Sequence, residues 1–185
     1  MNESAQKLES IVLGGGCFWC IEPIFLELKG VISSVSGYCN GQKLNPTYRE
    51  VCTGATGYAE IIKVTFDSNI ISLKEILRIF YHVHDPTTLN RQGNDKGTQY
   101  RSGIFYSSDV QRDIALAITK EISDAHLWQS PIVTEITALH NYYDAEDYHQ
   151  DYFYLNGSQP YCSIVIAPKM SKFRKEYRDR LKEKV

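Results

Sequence analysis

Apolar positions recur along this chain with two periods, near two and near 3.6 residues, and their succession predicts alternating strands and helices. Ser10-Ile11-Val12-Leu13 has the pattern of a buried strand, stopped by Gly14-Gly15-Gly16. From Cys17 to Leu28 the apolar residues Phe18, Ile21, Phe25 and Leu28 fall at helical spacing, and Gly30 ends the run. Pro23 is tolerated best near a first turn, which predicts a late start for that helix. Val31 to Tyr38 follows as a strand and closes a β-α-β unit. Gly37 to Gly57 reads as a long loop, and loops longer than about 12 residues in compact domains are usually functional.

Glu60 to Asp67 alternates with period two, a strand. Ser72 to His82 predicts a helix opened by a Ser72/Glu75 capping box. A polar loop spans Asp85 to Arg101, followed by a strand at Ser102–Tyr106, a helix at Asp109–Ala125 and a short strand at Ile132–Ile136. Tyr142 to Leu155 is an acidic, aromatic helix or loop, Tyr161 to Ala167 a further strand, and from Met170 onward the chain predicts a charged helix. No repeat or linker divides the sequence. The expectation is a single α/β (α+β) domain over 1–185, with a polar segment at 1–9 and a C-terminal helix at 168–185.

Composition narrows the function. Hydrophobic residues at 43% and charged residues at 23% exclude a disordered or coiled-coil chain, and a net charge of -2 offers no basis for a nucleic-acid partner. No apolar run approaches the ~18 residues of a membrane span. The five cysteines follow no export-type leader, so they are expected in a reducing compartment, the cytoplasm, as chemical tools or core filler.

Gly14-Gly15-Gly16-Cys17-Phe18-Trp19-Cys20 is the most informative segment. A strand, a glycine turn and a helix start place Cys17 where backbone N–H groups favour negative charge, which lowers a thiol pKa and makes a nucleophile. The competing reading is a small buried cysteine. Cys17-x-x-Cys20 also fits a disulfide exchanger, although Phe18 and Trp19 between the thiols look more like a pocket for a small apolar group, such as a methyl on sulfur. Zinc is disfavoured, because Cys39 and Cys52 do not form the second close pair of a structural site and His82-x-His84 has no metal spacing. Glu60 heads the apolar face Ile62, Val64, Phe66; desolvation there keeps a carboxyl protonated, whereas a strand-end glutamate leaning into solvent stays ionised. The dense polar loop Asn90 to Arg101 has the character of a binding loop.

Taken together, Gly16-Cys17-Phe18-Trp19, Asn45-Pro46-Thr47-Tyr48, Thr56-Gly57-Tyr58-Ala59-Glu60, His84-Asp85-Pro86-Thr87, Gln92-Gly93-Asn94-Asp95 through Arg101 and Ala145-Glu146-Asp147-Tyr148-His149-Gln150 resemble, in order, peptide methionine sulfoxide reductases of the A class, from Gly14 to about Pro168. The resemblance implies a ferredoxin-like βαβ core and reduction of the S epimer of methionine sulfoxide, free or in proteins. It implies Cys17 as nucleophile, Glu60 as acid, Tyr48, Asp95 and Tyr100 completing the site, and Phe18 and Trp19 as the methyl pocket. It also implies a sulfenic acid resolved by Cys162, and thioredoxin or a similar dithiol as external reductant with no bound cofactor; Cys20, one helical turn from Cys17, is the alternative resolver, and Cys39 and Cys52 beside the long loop stay open. Two departures from the family pattern are Tyr58, where histidine is usual, and an ordered-looking run around Cys162 in place of a glycine-rich tail.

Overall fold

A computed structural model describes residues 5–183. The first strand, β1 (Leu8–Gly15), leads through Gly16 into helix α1 (Phe18–Leu26), and β2 (Val31–Cys39) returns. The loop after β2 holds a short helix, α2 (Tyr48–Cys52), whose Thr47 and Glu50 form a reciprocal cap. Next come β3 (Ala59–Asp67) and α3 (Leu73–Val83), the latter opened by the Ser72/Glu75 capping box. The polar loop folds into a two-residue hairpin of β4 (Arg91–Gln92) and β5 (Asp95–Lys96), and β6 (Ser102–Tyr106) and α4 (Asp109–Asp124) follow. The rest comprises β7 (Glu135–Ala138), β8 (Tyr143–Asp144), α5 (Tyr152–Leu155), a wide helical turn at Cys162–Ile166 and α6 (Ala167–Glu176).

Six strands form one sheet in the order β7-β6-β1-β3-β2-β8. β1 runs antiparallel to both neighbours, with Leu13 opposite Ile62 and Gly15 opposite Ser102; β2 pairs antiparallel with β3, setting Tyr38 opposite Glu60. Period two then sorts the side chains. Ile62, Val64 and Phe66 of β3 join Ile11, Leu13 and Ile104 on one face, beneath Ile21, Ile24 and Phe25 of α1 and Ile76, Leu77 and Phe80 of α3. The opposite face carries only a small cluster of Val12, Cys39, Ala59, Ile61 and Phe105. A bidentate ion pair from Arg78 to Glu121 at 2.6 and 2.9 Å ties α3 to α4.

Several boundaries differ from the sequence expectation. α1 begins at Phe18 and holds Pro23 in its interior, where the ring is buried, so the proline does not delay the start. The strand expected at Ile132–Ile136 lies further on, at Glu135–Ala138. The segment Tyr161–Ala167 is not a strand. Its β-branched residues suggested one, but Cys162, Ile166, Met170 and Phe173 are buried at helical intervals while Ser163 and Ile164 are exposed. The stripe is one helical face running into α6, which ends at Glu176 before a short turn at Arg178–Arg180.

Glu22 of α1 is 1% exposed and accepts the Asp151 N–H at 3.2 Å, fastening the start of α5. Burial raises its pKa to about 7. Between pH 4.5 and 7 the unfolded carboxyl ionises while the folded one stays protonated, so this group costs stability as pH rises through that window, on the order of 3 kcal/mol in full. Denaturant titrations of Glu22→Gln across pH 4.5 to 8 are expected to lose that slope; an unchanged slope would place the titration elsewhere.

Candidate active site at the start of the first helix

Cys17 is the N-cap of α1. Gly16 before it has φ +90°, and a Cβ there would sit 2.6 Å from the Gln92 side chain. A glycine is therefore what lets the β4–β5 hairpin close over the helix start. Gln92 is itself pinned, its amide accepting from Asp85 N and donating to Asp85 O at 3.0 Å each.

Beneath Cys17 lies Glu60, 1% exposed. Its Oε2 accepts the Phe18 N–H at 3.2 Å, satisfying one of the free donors at the helix N-terminus. Its Oε1 is buried and makes no hydrogen bond among the described residues. Burial raises the carboxyl to about 8, opposed by the Phe18 hydrogen bond, so at neutral pH most of the population carries a proton. Tyr48 and Tyr100, both half-buried, stand within the electrostatic reach of Glu60 and Cys17, and burial, then those charges, push both phenols up. Their hydroxyls are therefore donors at any physiological pH. Bonds from Gln99 to Cys52 O at 3.3 Å and from Thr98 to Gly54 O at 3.2 Å hold the two tyrosine-bearing segments together.

One expectation about Cys17 is corrected. A helix N-terminus lowers a thiol pKa, but here burial outweighs it and pushes the thiol up, helped by the hydrogen bond with Cys20 and the charge of Glu60. The same hydrogen bond brings Cys20 down to about 7, with Lys169 adding in that direction. The two sulfurs thus titrate as a pair, and the first negative charge favours Cys20.

Aromatic rings wall the other side of Cys17. Trp19 stacks on Tyr152 at 3.7 Å with the planes 7° apart, and its indole N–H donates to His149 Nδ1 at 3.1 Å. That bond fixes the proton of the neutral His149 on Nε2, which faces Glu146 at 3.6 Å. Glu146 in turn accepts from Tyr48 N and from the Tyr38 hydroxyl, each at 2.8 Å. Phe18 is fully buried between Tyr38, Tyr48 and His149, so it backs this wall and Trp19 forms its accessible edge.

Asp95 is reached differently. It lines a cavity of about 270 Å³ with Cys17, Cys20, Tyr161 and Lys169, and accepts the Tyr161 hydroxyl at 2.8 Å. That same hydroxyl lies 3.4 Å from Cys20 Sγ. Cys162, next to Tyr161, is fully buried within the charge field of Cys20. Cys39 lies under the opposite sheet face, remote from this chemistry, and exposed Cys52 hydrogen-bonds Tyr48.

No role follows from the sequence for His149, which lies in one of the matched motifs, or for Tyr152, Tyr161 and Lys169; all four join the site from more than 100 residues away, and the dense aromatic run after Tyr148 is the available signal. His84, weighed as a ligand, has both ring nitrogens engaged, with Phe80 O at 2.6 Å and Ser102 Oγ at 2.7 Å. Burial pushes it down to about 3, so it stays a neutral core histidine. Among the described residues no cluster of three or more His, Cys, Asp or Glu is arranged to hold a metal. Tyr58, at the position where the family usually has histidine, is buried and donates to Lys43 O at 2.6 Å, closing the loop above β3.

Comparison with known proteins agrees with this geometry. A peptide methionine sulfoxide reductase MsrA of Polynucleobacter asymbioticus is 49% identical over 182 residues, 96% of each chain. Mxr1 of Saccharomyces cerevisiae in its reduced form superposes with a TM-score of 0.79 at 36% identity, over 88% of this chain and 92% of that one. Mxr1 in complex with Trx2 matches at a TM-score of 0.57 and 28% identity, over 82% and 89% of the two chains. The family model described as peptide methionine sulfoxide reductase matches residues 9–181, and the chain belongs to that family.

Proposed function

We propose that this chain reduces methionine-(S)-sulfoxide, free or in proteins, to methionine, with Cys17 as nucleophile and thioredoxin or a similar dithiol as reductant. The observation that carries the reading is the convergence, at one helix N-terminus, of a sulfur, a carboxyl kept neutral by burial and two tyrosine hydroxyls. The names of the relatives support the substrate, and the Mxr1–Trx2 complex supports the reductant. We also read the β6-β1-β3-β2 strand order, with α1 and α3 on one face, as a ferredoxin-like core. We place the chain in a reducing compartment such as the cytoplasm, where its five cysteines, all free thiols, stay reduced.

In this mechanism the sulfoxide oxygen enters beside Glu60, Tyr48 and Tyr100, and its S-methyl group lies against Trp19. Cys17 sulfur attacks the sulfoxide sulfur while the Cys17 proton passes to Cys20 and Glu60 protonates the oxygen. The substrate S–O bond breaks, methionine leaves, and Cys17 carries the oxygen as a sulfenic acid. Two further buried thiols, Cys20 and Cys162, stand behind it to form a disulfide with loss of water, and the external dithiol then reduces that disulfide. No bound cofactor enters the cycle. Asp95 acts through Tyr161.

Cys17→Ser should abolish methionine formation with an unchanged circular dichroism spectrum; turnover by that variant would defeat the assignment. Activity that needs protonated Glu60 falls as pH rises through about 8. Glu60→Gln should lose that descending limb and run about 10²-fold or more slower, and Glu60→Ala slower still. Parent rates in both across pH 6 to 9 would sink the acid role. For Trp19→Ala a weaker apolar wall, worth ~1–3 kcal/mol, should appear as a raised KM for methionine sulfoxide; an unaltered KM would move methyl recognition elsewhere.

A further inference from the structure

Cys20 has surroundings that a spectator thiol does not need. It sits three residues into α1 from Cys17, and its N–H bonds the Cys17 carbonyl at 3.0 Å, so the two sulfurs share one helical turn. Positions three apart on a helix are neighbours, and this spacing suits the Cα separation of about 4.4–6.8 Å that a disulfide takes. From Cys20 Sγ a continuous line runs to the Tyr161 hydroxyl at 3.4 Å and from there to Asp95 Oδ2 at 2.8 Å. Because Tyr161 donates to the carboxylate, its oxygen is free to accept the Cys20 S–H. Lys169 lines the same cavity and, among the described residues, makes no hydrogen bond or ion pair.

A lysine set into a protein wall without a carboxylate partner is costly unless something nearby becomes negative. The groups facing Cys20 are Cys17, Glu60, Asp95, Tyr161, Cys162 and Lys169, and Lys169 is the one cation among them.

Resting on the reductase reading above, we infer that Tyr161, Asp95 and Lys169 form an activation site for Cys20, which makes Cys20 the thiol that closes the first disulfide on Cys17. In that step Cys20 S–H releases its proton through Tyr161 to Asp95, and the sulfur, held as thiolate beside Lys169, attacks the Cys17 sulfenic sulfur. The Cys17 S–O bond breaks, the S–S bond forms, and the oxygen leaves as water after taking a proton back from Asp95. Cys17 sulfenic acid is reduced, Cys20 is oxidised, and no outside reductant is needed until the disulfide itself is recycled. Lys169 and Tyr161 are positioning residues, acting on the reaction through Cys20.

The test is a single turnover of fully reduced protein with methionine-(S)-sulfoxide and no dithiol, quenched over a time course. Methionine, dimedone-trapped Cys17 sulfenic acid and disulfide-linked peptides are quantified at each point. About one methionine per chain, a Cys17–Cys20 linkage and a rapidly vanishing dimedone adduct are expected. Lys169→Met should slow the decay of the adduct about tenfold at pH 7 and move its pH midpoint upward by about one unit, as a smaller thiolate fraction requires. Lys169→Arg should restore both. Tyr161→Phe, which removes the proton path, should slow the decay as well. A first disulfide between Cys17 and Cys162 would overturn the proposal, as would a Lys169→Met adduct decaying with the parent's rate and pH profile. Absence of any methionine would instead remove the reductase reading, and the proposal with it.

Discussion

Everything at this site hangs on one hydrogen bond, from the Phe18 N–H at the head of α1 to the Glu60 carboxyl in β3. It satisfies a helix donor that would otherwise be buried without a partner, and it holds an acidic group where water cannot stabilise its ionised form. The sheet register decides that this bond can form. β1 and β3 are direct neighbours, so the helix that leaves β1 begins above the first residues of β3. The apolar neighbours Ile62, Val64 and Phe66 then supply the low-dielectric floor that keeps the carboxyl protonated. Nucleophile, acid and core packing are thus consequences of one strand pairing.

The parts of this arrangement visible in the sequence were those with local causes. The Ser72/Glu75 box, the period-two run from Glu60 and the glycine turn before Cys17 each announce themselves within a few residues. Where the deciding force was tertiary, the pattern misled. Ile164, Val165 and Ile166 have strand propensity, but the spacing of Cys162, Ile166 and Met170 against the core holds the segment helical. The Cys17 thiol departs from its local signal for a similar reason: the helix terminus is a local feature, while the burial that overrides it is set by the packed fold, with the Cys20 hydrogen bond and the Glu60 charge adding to it. The rings of His149, Tyr152 and Tyr161 could not be assigned from their own neighbourhoods, because their partner Trp19 lies 130 positions or more upstream. The short helix α2 was marked only by Thr47 and Glu50, a box easily lost within a glycine-rich loop.

The division of labour among the cysteines follows from topology as well. Cys39 and Tyr38 are adjacent in β2, yet the pleat sends Tyr38 toward the Glu146 carboxylate beside the site and Cys39 into the small cluster on the far face. Five thiols of similar intrinsic chemistry are therefore separated by burial, by sheet face and by which of them meets a cation. The protein needs no disulfide frame, since its helices and sheet already bury a continuous core.

The adjacency of Tyr161 and Cys162 has a mechanical meaning. Successive residues in a helical turn point roughly a quarter of a revolution apart. Tyr161 faces the cavity and touches Cys20, and Cys162 faces inward against α1. Turning the Cys162–Ile166 segment far enough to deliver its sulfur into the cavity would swing the tyrosine out of it. The wide turn before α6 therefore joins two placements in one constraint: seating the phenol in the cavity is what keeps the neighbouring thiol in the core.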